Sequence, residues 1–174
     1  IDEDAVMPHA AVVTGANRGI GLELASQLSS RGWQVIATAR DPQEATELRA
    51  LDVRVDPLDV TDPQSVAALA KALPTPVDML INNAGQGGGR DPFEKVDWAH
   101  VARLFEVNAI GPMRVTQALL PQLRKGARKL VASVTSRMGS IDDNTSGSAY
   151  GYRASKAGLN MMNRSLSIDL AREG

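Results

Sequence analysis

Short apolar runs alternate with stretches of helical periodicity along almost the whole chain. Ala10 to Thr14 is such a run, ending in Gly15, and beyond it Ile20, Leu24 and Leu28 recur at every fourth position, the spacing of one helix face. Gln34 to Ala39 makes a second run and Val53 to Leu58 a third, with a helical stretch expected between them from about Gln43 to Leu51. Asp62-Pro63 has the form of an N-cap followed by a first-turn proline, and Val66, Leu69, Ala70 and Leu73 then fall on one face. Val77 to Ile81 is a fourth strand. A long helix is expected from about Asp97 to Leu120 with Pro121 as its stop, then a fifth strand from Leu130 to Val134, a polar loop, and a last helix from about Ala149 to Arg172. Parallel strands need crossover connections, and helices supply them. Five strand–helix units therefore predict a doubly wound parallel α/β sheet with helices on both faces.

The chain has 174 residues, the size of one domain. Residues 10–174 are assigned to it, and 1–9 to a leader, because the acidic stretch before Met7 has none of the basic and apolar regions of a signal peptide. The last helix runs to the end of the sequence where such a sheet ordinarily returns to another strand, so C-terminal strands are expected to be missing. The net charge of -1 provides no field for nucleic acid or an anionic membrane. With no cysteine, there is neither a thiol nucleophile nor a disulfide frame. Two histidines, His9 and His100, leave little for a metal site, and none is expected. No apolar run approaches the roughly 20 residues that span a bilayer, and a soluble, cytoplasmic protein is expected. Trp98 and Phe105 are taken as packing residues, Gly87-Gly88-Gly89 as a flexible loop, and Asp142-Asp143-Asn144 as a turn.

Candidate chemistry gathers at the strand ends. The first strand runs into Thr14-Gly15-Ala16-Asn17-Arg18-Gly19-Ile20-Gly21, a glycine turn between strand and helix. Such a turn brings backbone close to a pyrophosphate and aims the helix N-terminal amides at it. At the tip of the second strand stands Arg40, with no acid for the ribose hydroxyls of NAD. Arg18 and Arg40 can clamp the 2'-phosphate of NADP, since guanidinium matches phosphate geometrically; the alternative is two solvated arginines. Tyr152 and Lys156, four apart on the last helix, project from one face. Bringing a phenol from a pKa of about 10 to about 7 takes about 4 kcal/mol, and an ammonium at about 4 Å in an effective dielectric of about 20 supplies that much. The pair is sufficient for general acid work, against the plainer reading of an interfacial tyrosine beside a surface lysine.

Taken together, the glycine turn, Asn82-Asn83-Ala84-Gly85, Asn108, Ser136 and Tyr152-x-x-x-Lys156 resemble, in order and spacing, the short-chain dehydrogenase/reductase family. Arg40-Asp41-Pro42, the segment Ser136 to Ile141 and the segment Tyr152 to Ala157 are more narrowly similar to its C-factor-like, NADPH-dependent carbonyl reductases. The resemblance implies a Rossmann-like fold and hydride transfer between NADP(H) and a carbonyl or alcohol substrate. On these residues it implies that Tyr152 is the general acid or base, that Lys156 lowers the phenol pKa and holds the ribose, and that Ser136 hydrogen-bonds the substrate oxygen. Asn108 would anchor a water linking Lys156 to solvent.

The cofactor would lie against Gly15, Asn17, Arg18, Gly19, Ile20 and Gly21. It would continue past Arg40, with Asp59 and Val60 at the adenine and Asn83, Ala84 and Gly85 along the cofactor; Asn82 would be structural. The alternative for Asp59 is a turn residue preceding the helix. A homodimer or homotetramer through the two long helices is implied. Thr135 stands where the family often has serine and keeps the hydroxyl. The segment that closes the substrate pocket in the family is expected to be missing after Gly174, which keeps open a second reading, a non-catalytic NADP(H)-binding sensor or signalling protein with vestigial catalytic residues.

Overall fold

The computed structural model describes residues 8–73 and 76–173; residues 1–7, most of the expected leader, lie outside the described residues. Five parallel strands, β1 (Ala10–Val13), β2 (Gln34–Ala39), β3 (Arg54–Pro57), β4 (Met79–Asn82) and β5 (Leu130–Ser133), form one sheet in the order β3-β2-β1-β4-β5. In register, Val12 of β1 lies opposite Ile36 of β2 and Leu80 of β4. The central strand is buried along its whole length, as a parallel strand covered on both faces must be.

Alternation along the strands divides the core in two. Ala10, Val12, Ile36 and Leu80 face Val66 and Leu69 of α3 (Pro63–Ala72) and Val115 and Leu119 of α5 (Gly111–Leu123). Val13, Val35, Ala37 and Ile81 face the other way, onto Ala25 of α1 (Gly19–Ser30) and Leu48 of α2 (Thr46–Arg49). The doubly wound sheet read from the sequence is the fold observed. Because the strand order reverses at β1, a crevice opens beyond the carboxyl ends of β1 and β4.

The helices depart from expectation in four places. Instead of running from Gln43 to Leu51, α2 is a single turn, because the Asp41 carboxylate accepts the Gln43 N–H at 2.9 Å and holds Pro42 in a turn. Pro121 does not stop its helix; α5 continues to Leu123. The proline removes one ladder bond, and buried Leu119 and Leu123 on either side of it hold that turn to the sheet. The stretch expected as one helix from Asp97 is α4 (Trp98–Phe105), capped by Asp97, then a π turn over Glu106–Ile110, then α5. The last helix, α6, covers Tyr150–Asp169 and ends short of Arg172. Trp98, taken as a packing residue, is 59% exposed and packs edge-on against the Phe93 ring, 6.2 Å away between centroids.

At the opposite edge of the sheet, buried Asp78 staples three segments. Its carboxylate accepts the N–H of Ala10 at 2.9 Å, of Ala127 at 2.8 Å and of Arg128 at 3.3 Å, with His9 Nδ1 at 3.4 Å. Burial works to raise its pKa, and the three backbone donors outweigh that and hold it below the ordinary carboxylate range. Asp78→Asn replaces an acceptor by a donor facing backbone N–H groups and is expected to cost about 2–3 kcal/mol in urea unfolding at pH 7. Since the folded carboxylate is the stronger acid, its contribution is full above the unfolded pKa of about 4 and fades as pH falls through the folded value. The gap between wild type and variant should close on acidification; equal stability at neutral pH removes the staple.

Candidate active site

The crevice owes its shape to close backbone contact. The buried Thr14 hydroxyl accepts the N–H of Asn83 and of Ala84, each at 3.0 Å, and donates to Ile81 O at 3.4 Å. Gly15 follows with φ +61°, and a Cβ there would stand 2.7 Å from Ala84 Cα. Its lack of a side chain is a geometric requirement on both counts. The Asn83 amide donates to Thr14 O and Gly15 O, both at 2.9 Å. At Gly21 a Cβ would run into that same amide and Gly15 O, so Gly21 is where α1 packs beneath the turn.

Above the turn, α1 begins at Gly19 with Arg18 as N-cap, without a side-chain cap bond and without an acid in its first turn. Its leading amides therefore face the crevice uncapped, the arrangement that suits an anion.

The resulting cleft has a volume of about 1230 Å³. Gly15, Asn17, Arg18, Gly19 and Ile20 line it from the glycine turn, and Arg40 from the tip of β2. Asp59 and Val60 follow β3 onto its wall, Asn83, Ala84 and Gly85 follow β4, and Tyr152 and Lys156 come from α6. Three expected site residues, Gly21, Asn108 and Ser136, are not among those lining it. Asn83 lines the cleft by position, yet its amide is spent on the glycine turn. Asn82 is buried and bonded to Thr116 Oγ1 at 2.9 Å, consistent with a structural part. Asp59 is a turn residue and a wall residue at once: its Oδ1 accepts from Thr61 Oγ1 at 2.7 Å and Thr61 N at 2.9 Å. Those two bonds, helped by the nearby Arg40 charge and opposed by partial burial, keep its carboxyl below the usual range.

At the other end of the cleft, α6 starts from Ser148 and Ala149, both left-handed at φ +52° and +51°. One helical turn separates Tyr152 from Lys156, and the Lys156 Nζ lies 5.9 Å from the centroid of the Tyr152 ring. Burial pushes the Lys156 pKa down. Among the described residues its ammonium has one acceptor, Val134 O at 2.8 Å, leaving two N–H donors for a ligand. The Ser136 oxygen accepts Met138 N–H at 3.1 Å and caps the 3-10 turn Arg137–Gly139, so its own proton remains to be donated.

Asn108 is fully buried in the π turn. Its Oδ1 accepts Gln86 N–H at 2.7 Å, and its Nδ2 donates to Gln86 O at 2.9 Å and to Ser155 Oγ at 3.1 Å. Sequence reasoning missed Ser155, Gln86 and the Val134 carbonyl. Only Ser155 carried a signal, a mid-helix serine placed to bond the carbonyl three residues back.

A model of the short chain dehydrogenase family matches residues 9–174. C-signal of Myxococcus xanthus is 60% identical over 99 residues, 57% of this chain and 60% of that protein. The 1-hydroxy-2-glutathionyl-2-methyl-3-butene dehydrogenase of Rhodococcus sp. (strain AD45) is 38% identical over 167 residues, 94% of this chain and 72% of that protein. The chain thus spans only part of the curated relatives it matches. Among solved structures, an NADPH-bound carbonyl reductase from chicken fatty liver superposes with a TM-score of 0.89 at 34% identity, covering 97% of this chain and 77% of the other. A carbonyl reductase from Pseudomonas aeruginosa PAO1 in complex with NADP gives 0.83 at 35%, covering 92% and 76%.

The Thr14 clamp is directly testable. Thr14→Val keeps the shape and removes the acceptor of two backbone N–H groups, for an expected loss of about 2–4 kcal/mol in urea unfolding; Thr14→Ser should recover most of it. A valine variant as stable as wild type contradicts the clamp.

Proposed function

The chain belongs to the short-chain dehydrogenase family, and from that premise we propose that it is an NADPH-dependent carbonyl reductase that also runs in reverse as an alcohol dehydrogenase. The observation that carries this reading is the Tyr152–Lys156 pair on the cleft wall, with its buried ammonium 5.9 Å from the phenol ring. The residues present fit a dinucleotide. The uncapped start of α1 suits the pyrophosphate, Arg18 and Arg40 suit the 2'-phosphate, Asp59 stands at the adenine end, and Lys156 has donors left for ribose hydroxyls. The NADP and NADPH complexes among the structural neighbours support the choice of cofactor.

When bound, the reduced nicotinamide supplies a hydride, two electrons and one hydrogen, to the carbonyl carbon. The chain's own part is the proton. Tyr152 gives its phenolic proton to the carbonyl oxygen, so that carbonyl becomes alcohol, and the phenolate left behind is opposed by the Lys156 ammonium. Ser136 donates its free proton to the same oxygen and stabilises the charge that develops there. The Asn108 amide is occupied by Gln86 and Ser155, so in this reading its part is to hold the loop after β4 to the helix that carries Tyr152 and Lys156.

Association of copies through the two long helices belongs to this reading, supported on α6 by the exposed apolar Met161, Met162 and Ile168. Among the described residues no helix is long and apolar enough to cross a membrane. The likeness to C-signal supports a second reading, a signalling protein that retains the cofactor site without turnover.

NADPH oxidation against a carbonyl panel, in the full-length protein, separates the two. Tyr152→Phe is expected to lower kcat by about 10²–10⁴-fold while NADPH binding persists; unaltered turnover eliminates Tyr152 as the acid, and a wild type that binds NADPH without turning over any carbonyl favours signalling. Arg40→Asp should raise the NADPH Kd about tenfold or more, as loss of a charge-assisted contact does, and leave NADH nearly unchanged. Equal losses for both cofactors refute the phosphate clamp.

A further inference from the structure

We propose that Ser155 is a positioning residue for proton transfer: its hydroxyl locks the backbone of Tyr152 to the buried Asn108 amide and so sets the height of the phenol in the cleft. The inference rests on Tyr152 being the acid. Ser155 Oγ donates to Tyr152 O at 2.9 Å and accepts from Asn108 Nδ2 at 3.1 Å, and both side chains are 0% exposed. Asn108 in turn holds Gln86 by both its N–H and its carbonyl. One hydrogen-bonded line therefore runs from the loop after β4, which forms one wall of the cleft, to the helix that carries Tyr152 and Lys156 on the other.

The directions of these bonds leave no alternative arrangement. Gln86 N–H must meet an acceptor, which fixes Oδ1 of Asn108 toward the loop and both amide hydrogens on Nδ2. One of them goes to Gln86 O, and the other has Ser155 Oγ as its acceptor. The serine then has one proton, and it points at the Tyr152 carbonyl. Apolar contacts nearby set only how close the helices approach: a Cβ on Gly151 would stand 2.8 Å from Leu104 Cδ1, and one on Gly158 would stand 3.1 Å from Phe105 Cε1. Such surfaces can slide along the helix axis, whereas a hydrogen bond weakens steeply with misalignment. The Lys156 bond to Val134 O ties α6 to the end of β5, and Ser155 supplies the directional contact that fixes the helix carrying the phenol and the ammonium against the loop after β4.

Ser155→Ala leaves a buried amide hydrogen of Asn108 without an acceptor and frees α6 to shift; Ser155→Thr keeps the hydroxyl. In the full-length protein, Ser155→Ala is expected to lower kcat about 30-fold, the scale of one lost directional contact, with the NADPH Kd within about twofold. The midpoint of its kcat–pH profile should move from that of wild type, and Ser155→Thr should restore both kcat and midpoint. The titration of the Tyr152 phenol, followed by 13Cζ NMR and assigned as the signal lost in Tyr152→Phe, should shift in Ser155→Ala in the same way. Should the alanine variant not fold, Ser155→Cys, with a weaker donor of similar size, carries the same criteria. A variant that melts earlier yet keeps kcat and both midpoints overturns the proposal and leaves Ser155 a packing residue. If wild type turns over no carbonyl, the proposed activity fails, and the NMR titration still decides the role of Ser155.

Discussion

Backbone pressed on backbone, Gly15 against Ala84, is the constraint around which the carboxyl edge of the sheet is built. A side chain at position 15 would push β1 and β4 apart where the strand order reverses, and the crevice lies at that reversal. The approach buries polar main chain that must still be satisfied, and Thr14 and Asn83 do so with a single hydroxyl and a single amide. With the turn held this tightly, α1 starts at the lip of the crevice with its first amides uncapped. In most helices an uncapped N-terminus is a small defect; at the lip of a crevice it is an arrangement that suits an anion.

Both ends of the cleft carry positive charge, exposed at one and buried at the other. Arg18 and Arg40 are exposed cations, well hydrated, with planar guanidinium groups that suit phosphate geometry. Lys156 is a buried cation, and removal from water makes its ammonium costly unless negative or strongly polar groups surround it. Val134 O offsets part of that cost, and an anionic phenol at Tyr152 would offset more. The same low-dielectric setting that burdens the lysine strengthens its hold on a developing negative charge. Since the net charge of the chain is -1, no long-range field does this work; it depends on where a few groups are placed.

Much of this was legible in the sequence because the signals are local. Five apolar runs separated by helical periodicity suffice for the doubly wound sheet, and the glycine spacing and the four-residue step from Tyr152 to Lys156 are properties of one turn and one helix. What was not legible depends on contacts through space. Asn83 was expected to line the cleft, and it does, but nothing in Asn-Asn-Ala-Gly reveals that its amide is consumed by Thr14 and Gly15. Pro121 looked like a stop because propensity sees only the ladder, not the packing of Leu119 and Leu123. Trp98 was taken as a packing residue because hydrophobicity says nothing about which side of a helix end faces water. Asn108 falls inside a stretch expected as one continuous helix, and the π turn that places it had no separate signature.

That π turn has a geometric reason. In a regular helix, eleven residues complete about three turns of 3.6, so Leu104 and Val115 would share one face. They have different neighbours: Leu104 lies against the glycine loop and α6, whereas Val115 packs into the sheet core with Leu119 and Leu123. One extra residue in the turn rotates everything after it by about 100°, which lets a single rod serve α6 with its first half and the sheet with its second. The inserted turn also faces Asn108 toward both Gln86 and Ser155 at once. The distortion that reconciles two packing partners is therefore the same one that joins the two walls of the cleft, and a straight helix would forfeit both together.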